Sequence, residues 1–255
     1  MAASRKDNDD YLSRIKARST IGHCFKCGAE FGRVAMCSHV LKEREKFGTA
    51  EECMILEITG MGSKGFWLVA EASADAKLAD LDVFLRQVWM ECCEHRSKFY
   101  PKGAKPWGRN DIPMLLNISD SPSAFSYIYD FGTTSGADIR MIGLSTREKC
   151  EGAIRLLARN DPIHPRCEVC GGDADNVAWD GAGETEYFAL CDSCFKKHGD
   201  EDSFAPFTNS PRMGLCGYCG ELDFFDYAPG AHMPESEKVT MESHSQYYDA
   251  DDDYW

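Results

Sequence analysis

The chain has 255 residues, with 28 Lys and Arg against 42 Asp and Glu and a formal net charge of −14. That length suits one medium domain with small modules attached, and the acidity argues against binding duplex DNA by bulk charge, leaving only a local basic patch for such a role. The start, Met1 to Asp7, is charged and lacks the apolar stretch of a signal peptide, and no apolar run approaches the ~18 residues that a bilayer crossing needs. The expectation is a cytoplasmic protein without membrane contact.

In chain order, residues 1–20 are polar and mixed in charge and read as a flexible arm. Residues 21–53 read as a zinc-finger-like module. Cys24-Phe25-Lys26-Cys27-Gly28 has the form of a knuckle, in which two thiols share one side of a tight turn and the glycine supplies a permissive φ. His39 follows Cys27 after eleven residues and precedes a short helix around Val40–Glu43. One ligand of a tetrahedron is still missing, and Cys37, Cys53 and His23 are the candidates.

Residues 54–162 carry the pattern of an α+β core. Met54–Thr59 and Phe66–Ala72 read as a hairpin around Gly60–Gly65. That loop has GxGxxG spacing, but a β-rich segment follows it where a nucleotide site needs a helix N-terminus, so it reads as a hairpin loop. Leu78, Leu81, Phe84, Leu85, Val88, Trp89 and Cys92 recur at helical spacing and predict a helix over 75–95, capped by Asp75. Cys92 and Cys93 at its end read as thiols packed as small hydrophobes, and His95 as a hydrogen-bonded structural residue. Further strands are expected at 113–118, 125–131, 137–144 and 153–159. The fold class is α+β, a central mixed or antiparallel sheet with one main helix, flanked by metal-binding modules.

Residues 163–232 make the second module. Cys167, Cys170, Cys191 and Cys194 form two Cys-x-x-Cys pairs separated by 20 residues, which is zinc-ribbon or treble-clef spacing. Asn176–Trp179 and Glu186–Leu190 are placed to pair as a hairpin, and the second Cys pair sits where a helix begins, a position that favours the thiolate a metal needs. Cys216 and Cys219 form a further pair and group with His198 as a second set of candidate ligands. The total of 13 cysteines is odd, which excludes a fully paired disulfide framework. Residues 233–255 read as an acidic, disordered tail with interspersed Tyr and Trp.

Three stretches resemble the plasmid pRiA4b open-reading-frame-three-like family. They are Leu81-Asp82-Val83-Phe84-Leu85-Arg86-Gln87-Val88-Trp89-Met90-Glu91-Cys92-Cys93-Glu94-His95-Arg96-Ser97-Lys98-Phe99, Tyr127-Ile128-Tyr129-Asp130-Phe131-Gly132, and Asn209-Ser210-Pro211-Arg212-Met213-Gly214-Leu215-Cys216-Gly217-Tyr218. Arg96 departs from the Leu usual there, and Cys219 stands where a non-cysteine is expected. The resemblance covers about residues 20–225. It implies an α+β core, usually with zinc modules, and it implies no reaction. Many members carry a label linking them to mobile DNA.

The functional expectation is a zinc-binding, non-catalytic adaptor holding two or more structural Zn²⁺ ions and serving an unknown protein partner. A Cys₄ site is closed, whereas catalytic zinc keeps a position open for water, and the His-x-Glu and Pro-Cys-x-x-Cys signature of deaminases is absent. Nucleic acid is the alternative partner, with Lys26, Arg33, Lys42, Arg44, Lys196, Lys197 and Arg212 on one face. A third reading is an enzyme with a pocket formed by His95, Asp130 and Glu91.

Overall fold

The computed structural model of the protein describes residues 19–44, 51–102, 105–107, 124–147, 152–179, 187–198, 204–216, 218 and 220. The strand expected at 113–118, the arm before residue 19, the tail from 233 and Cys219 lie outside the described residues.

Eight strands form one sheet: β1 (Ile21–Cys24), β2 (Glu30–Gly32), β3 (Glu51–Gly60), β4 (Ser63–Ser73), β5 (Ser97–Pro101), β6 (Ala124–Tyr129), β7 (Ser135–Arg147) and β8 (Ile154–Asn160). Their order is β2-β1-β8-β4-β3-β7-β6-β5, and every neighbouring pair is antiparallel. Between the antiparallel and mixed alternatives, the sheet takes the first.

β3 and β4 sit at the centre and read as almost continuous apolar runs because both faces of the sheet are covered. Side chains alternate between faces along a strand. Met54, Leu56, Ile58, Phe66, Leu68, Ala70 and Ala72 therefore join one core, and Cys53, Ile55, Trp67 and Val69 the other. The first core is capped by α2 (Leu78–Leu85), which contributes Leu78, Leu81, Phe84 and Leu85. The second is capped by α1 (Arg33–Arg44), which contributes Met36, Cys37 and Val40 and lies against β1, β4, β7 and β8. Among the described residues, α1 and α2 thus cover opposite faces of the large sheet, and α1 is the longer. The hairpin loop expected over Gly60–Gly65 narrows to Met61 and Gly62, with Gly62 at φ 67°.

The N-terminal knuckle belongs to the same sheet. β1 pairs with β8 at Gly22↔Asn160 and Cys24↔Ala158, and the module boundary drawn at residue 53 falls inside β3. Gly22 is required there, since a Cβ would lie 1.9 Å from the Arg159 carbonyl oxygen.

The helix expected over 75–95 begins later and ends sooner. Its N-cap residue is Lys77 rather than Asp75, and the Asp80 carboxylate in the first turn reaches back to accept the Lys77 backbone N–H at 2.7 Å. After Leu85 the helix widens into a π turn, Arg86–Met90, closed by the Glu91 N–H on the Arg86 carbonyl at 2.8 Å. Such turns in helices concentrate at functional sites. Here the turn releases the chain at Glu91 into extended backbone and so exposes the Cys-Cys-x-His that follows.

A second sheet, β10 (Tyr187–Leu190), β9 (Asn176–Trp179) and β11 (Phe204–Pro206), carries α3 (Asp192–His198). The β9–β10 hairpin has the expected partners, from Tyr187↔Trp179 to Leu190↔Asn176. No helix among the described residues is long and apolar enough to cross a membrane.

Candidate metal centres

Cys167, Cys170, Cys191 and Cys194 bring their sulfurs within 4.8 Å of one another. The first pair sits in a knuckle closed by the Gly171 N–H on the Cys167 carbonyl at 2.8 Å and the Cys167 N–H on the Gly172 carbonyl at 2.7 Å, with Gly171 at φ 73°. The second pair opens α3. The Cys170 and Cys191 sulfurs are 3.7 Å apart. A disulfide would place them ~2.05 Å apart. Zn–S bonds of ~2.3 Å at the tetrahedral angle would place them about 3.8 Å apart. The spacing is that of a tetrahedron's edge.

The electrostatics agree. Backbone N–H groups of Cys191, Cys170 and Val169 hold the Cys167 thiol down at about 6, against the pull of burial. Burial and the three sulfurs around it push Cys194 up to about 12. One thiolate forms readily, but four in one pocket need a cation.

The second centre joins Cys24, Cys27 and His39. The Gly28 N–H closes the knuckle on the Cys24 carbonyl at 2.8 Å, and Gly28 takes φ 70°. α1 delivers His39, whose Nε2 lies 3.3 Å from the Cys27 sulfur. The three proposed fourth ligands are all engaged elsewhere. Cys37 lies two residues before His39, about 200° around the helix. It faces the sheet, where its thiol donates to Glu57 at 3.7 Å and burial, with Glu57 beside it, pushes it up to about 12. Cys53 is buried within β3. His23 is held by Asp161 and Glu30. Among the described residues this centre has three ligands.

The third group joins Cys92, Cys93, His95 and Cys216. Of the two thiols expected to pack as small hydrophobes, Cys93 is exposed. The sequence pattern groups Cys216 with His198 and Cys219. The side chain of His198 lies outside the described residues, and Cys216 sits at the end of the π turn instead. The cause is the docking of residues 209–216 onto the core. Asn209 exchanges hydrogen bonds with Asn160 at 2.6 and 2.8 Å, and Ser210 donates to the Trp89 carbonyl at 2.6 Å. Three possible ligands within Cys92–His95 were the signal available in the sequence.

A buried polar network supports this group. Arg86 binds Asp82 at 2.8 Å, Glu91 at 2.7 Å and the His95 carbonyl at 2.6 Å. Asp82 also accepts from Tyr127 at 2.8 Å and from Ser97. Tyr129 lies between the guanidinium groups of Arg86 and Arg212, 4.9 and 4.8 Å from its ring centre, donates to Glu91 at 3.0 Å and accepts the His95 N–H at 3.2 Å. Arg212, assigned above to a nucleic-acid face, is fully buried, and its guanidinium binds Asp130 at 2.8 Å. Burial works to raise the Asp130 carboxyl, but Arg212 and the backbone N–H groups of Thr133 and Gly132 outweigh it and hold it at about 2. Of the trio proposed as a catalytic pocket, His95 and Asp130 lie 3.3 Å apart, whereas Glu91 is engaged by Arg86 and Tyr129. Cys92 to His95, Tyr129 with Asp130, and Arg212 with Cys216, distant in sequence, meet at this point.

No protein-family model matches the chain, and no curated protein matches it. A solved structure described as a protein of unknown function, MM3350 from Methanosarcina mazei Go1, aligns at 17% identity over 49% of this chain and 76% of that one, with a TM-score of 0.37. At that level the likeness carries no argument.

Proposed function

We propose that the protein is a zinc-binding, non-catalytic adaptor of the pRiA4b-like kind, with structural Zn²⁺ in its cysteine centres and a cytoplasmic site of action. The observation that carries this reading is the closed set of four cysteine sulfurs at Cys167, Cys170, Cys191 and Cys194. A site whose four corners are all thiols has no place for substrate or activated water. The order of knuckle, hairpin and helix around it supports a treble-clef module. The Cys24, Cys27 and His39 centre supplies a second ion, which braces the β1–β2 turn against α1. Linkage to mobile DNA rests on the family resemblance alone.

Elemental analysis of protein purified in reductant tests the metal. At least two equivalents of zinc are expected, and a chain that carries none and keeps its fold through exhaustive chelation overturns the reading. A pull-down from native lysate, run with and without nuclease, tests the role. A discrete protein partner that survives nuclease supports an adaptor. Recovery of nucleic acid, with partners lost on nuclease treatment, transfers the function to Lys26, Lys42, Lys196 and Lys197, all exposed.

A further inference from the structure

The geometry points to a third metal centre at Cys92, Cys93, His95 and Cys216, a Cys₃His site for Zn²⁺ that fastens the segment around Cys216 to the end of the π turn. It shares with the preceding reading only the premise that the chain takes up zinc.

The spacing is the first support. The sulfur of Cys93 lies 3.6 Å from that of Cys92 and 3.7 Å from that of Cys216. The Nε2 of His95 lies 3.0 Å from Cys93 and 3.2 Å from Cys216. With Zn–S at ~2.3 Å and Zn–N at ~2.0–2.1 Å, a tetrahedron has S···S edges of about 3.8 Å and S···N edges of about 3.6 Å. The sulfur spacings match those edges, the sulfur–nitrogen ones are somewhat tighter, and none approaches a disulfide bond.

Charge is the second support. His95 Nε2 faces two sulfurs and, at 3.3 Å, the Asp130 carboxylate. One N–H cannot serve three acceptors, whereas a bound cation engages both sulfurs and the imidazole together. Three thiolates and one Zn²⁺ leave a net negative charge, and a buried cation is in place to meet it. Arg212 directs Nε and Nη2 at the Cys92 sulfur, at 3.3 and 3.2 Å, and its Nη2 also binds Asp130. Partners that hold metal ligands in this way fix their orientation and strengthen binding.

Backbone strain is the third. Among the described residues, the non-glycine residues with positive φ are Glu94 (61°), Asp130 (61°) and Cys216 (50°). Cys216 is a member of this group, Glu94 lies between two others, and Asp130 touches His95. Left-handed backbone is strained for a non-glycine residue and persists where the surroundings over-determine it. A metal that needs these side chains to converge is such a surrounding.

The test is metal content across three variants of the full chain, purified in reductant. The pair Cys93→Ala/Cys216→Ala is expected to bind one equivalent less than wild type, with unchanged circular dichroism because both positions are exposed. Cys170→Ala/Cys191→Ala is expected to lose one equivalent independently, and the four-fold combination two. Co²⁺ loading supplies a second readout, in which wild type minus the first variant leaves the thiolate-to-cobalt absorption of a tetrahedral site with three sulfurs. Equal metal content in wild type and the first variant overturns the third centre while leaving the Cys₄ centre standing. A disulfide between Cys93 and Cys216 under reducing purification also overturns it. Loss of the equivalent only from Cys170→Ala/Cys191→Ala supports the function proposed above and excludes this addition to it.

Discussion

The centre at Cys167–Cys194 and the group at Cys92–Cys216 use the same chemistry on opposite plans. The first is local: its four cysteines fall within 28 residues of sequence, on a knuckle and a helix start joined by a short hairpin. Its satellite core is small, built from Cys167, Ala174, Ala189, Leu190 and Cys194. The second is assembled by the main fold, from a helix end and a segment more than 110 residues later, and it stands on a buried network of Arg86, Asp82, Tyr127, Tyr129, Asp130 and Arg212. The first set is brought together by a short local stretch of chain, and the second only by the completed main fold.

Perturbations that remove metal should therefore strike the two places unequally. Cys191→Ala should have the largest effect. Structural zinc contributes about 10–16 kcal/mol of apparent binding energy in small modules. Hydrogen exchange should show protection lost throughout β9, β10 and α3, with the eight-stranded sheet unchanged. If the two regions melt together, the small module is not independent and the comparison breaks. Asp82→Ala should come next. It removes one of the two carboxylates that meet the buried Arg86 charge and the acceptor shared by Tyr127 and Ser97, and should destabilise the main domain by about 3 kcal/mol in urea denaturation, while the Cys₄ centre keeps its metal.

Leu68→Ala, buried beneath α2 in the centre of the sheet, should cost about 2–5 kcal/mol in the same transition. Cys37→Ala should cost only about 1 kcal/mol and leave metal content unaltered, since its thiol serves Glu57 and not the knuckle. Cys27→Ala should instead abolish the N-terminal ion, and the pair of measurements sharpens the assignment of three ligands there. Leu144→Ala, on an exposed stretch of β7, should stay within about 0.5 kcal/mol and serves as the control.

Contiguity also decided what could be read from the sequence. The Cys167–Cys194 spacing, the β3–β4 hairpin and the apolar stripe of α2 are signals confined to short windows, and each corresponds to a feature of the structure. The helix end was not legible: seven apolar positions at regular spacing give no sign of the π turn at Arg86. Lys77 rather than Asp75 is the N-cap of α2 because the first helical turn begins at Leu78, a difference of a few residues that periodicity does not resolve. Cys37 was a candidate ligand because spacing counts residues and ignores which side of a helix they occupy. Arg212 was placed on a charged surface because its type is usually exposed, whereas the docking of residues 209–216 buries it between Asp130 and Cys92. The meeting of Cys216 with Cys92, Cys93 and His95 is a product of tertiary structure.

The outer strands of the large sheet have a consequence for association. Any open sheet offers unpaired backbone groups at its two edges, and long, flat edges recruit other chains. Here one edge, β2, has three residues. The other, β5, ends in Pro101, and its Phe99 is already bridged by Trp107, whose N–H donates at 2.8 Å. Among the described residues, neither border gives a foreign strand much to register against, which works against edge-to-edge recruitment without sacrificing the apolar strands at the centre of the sheet.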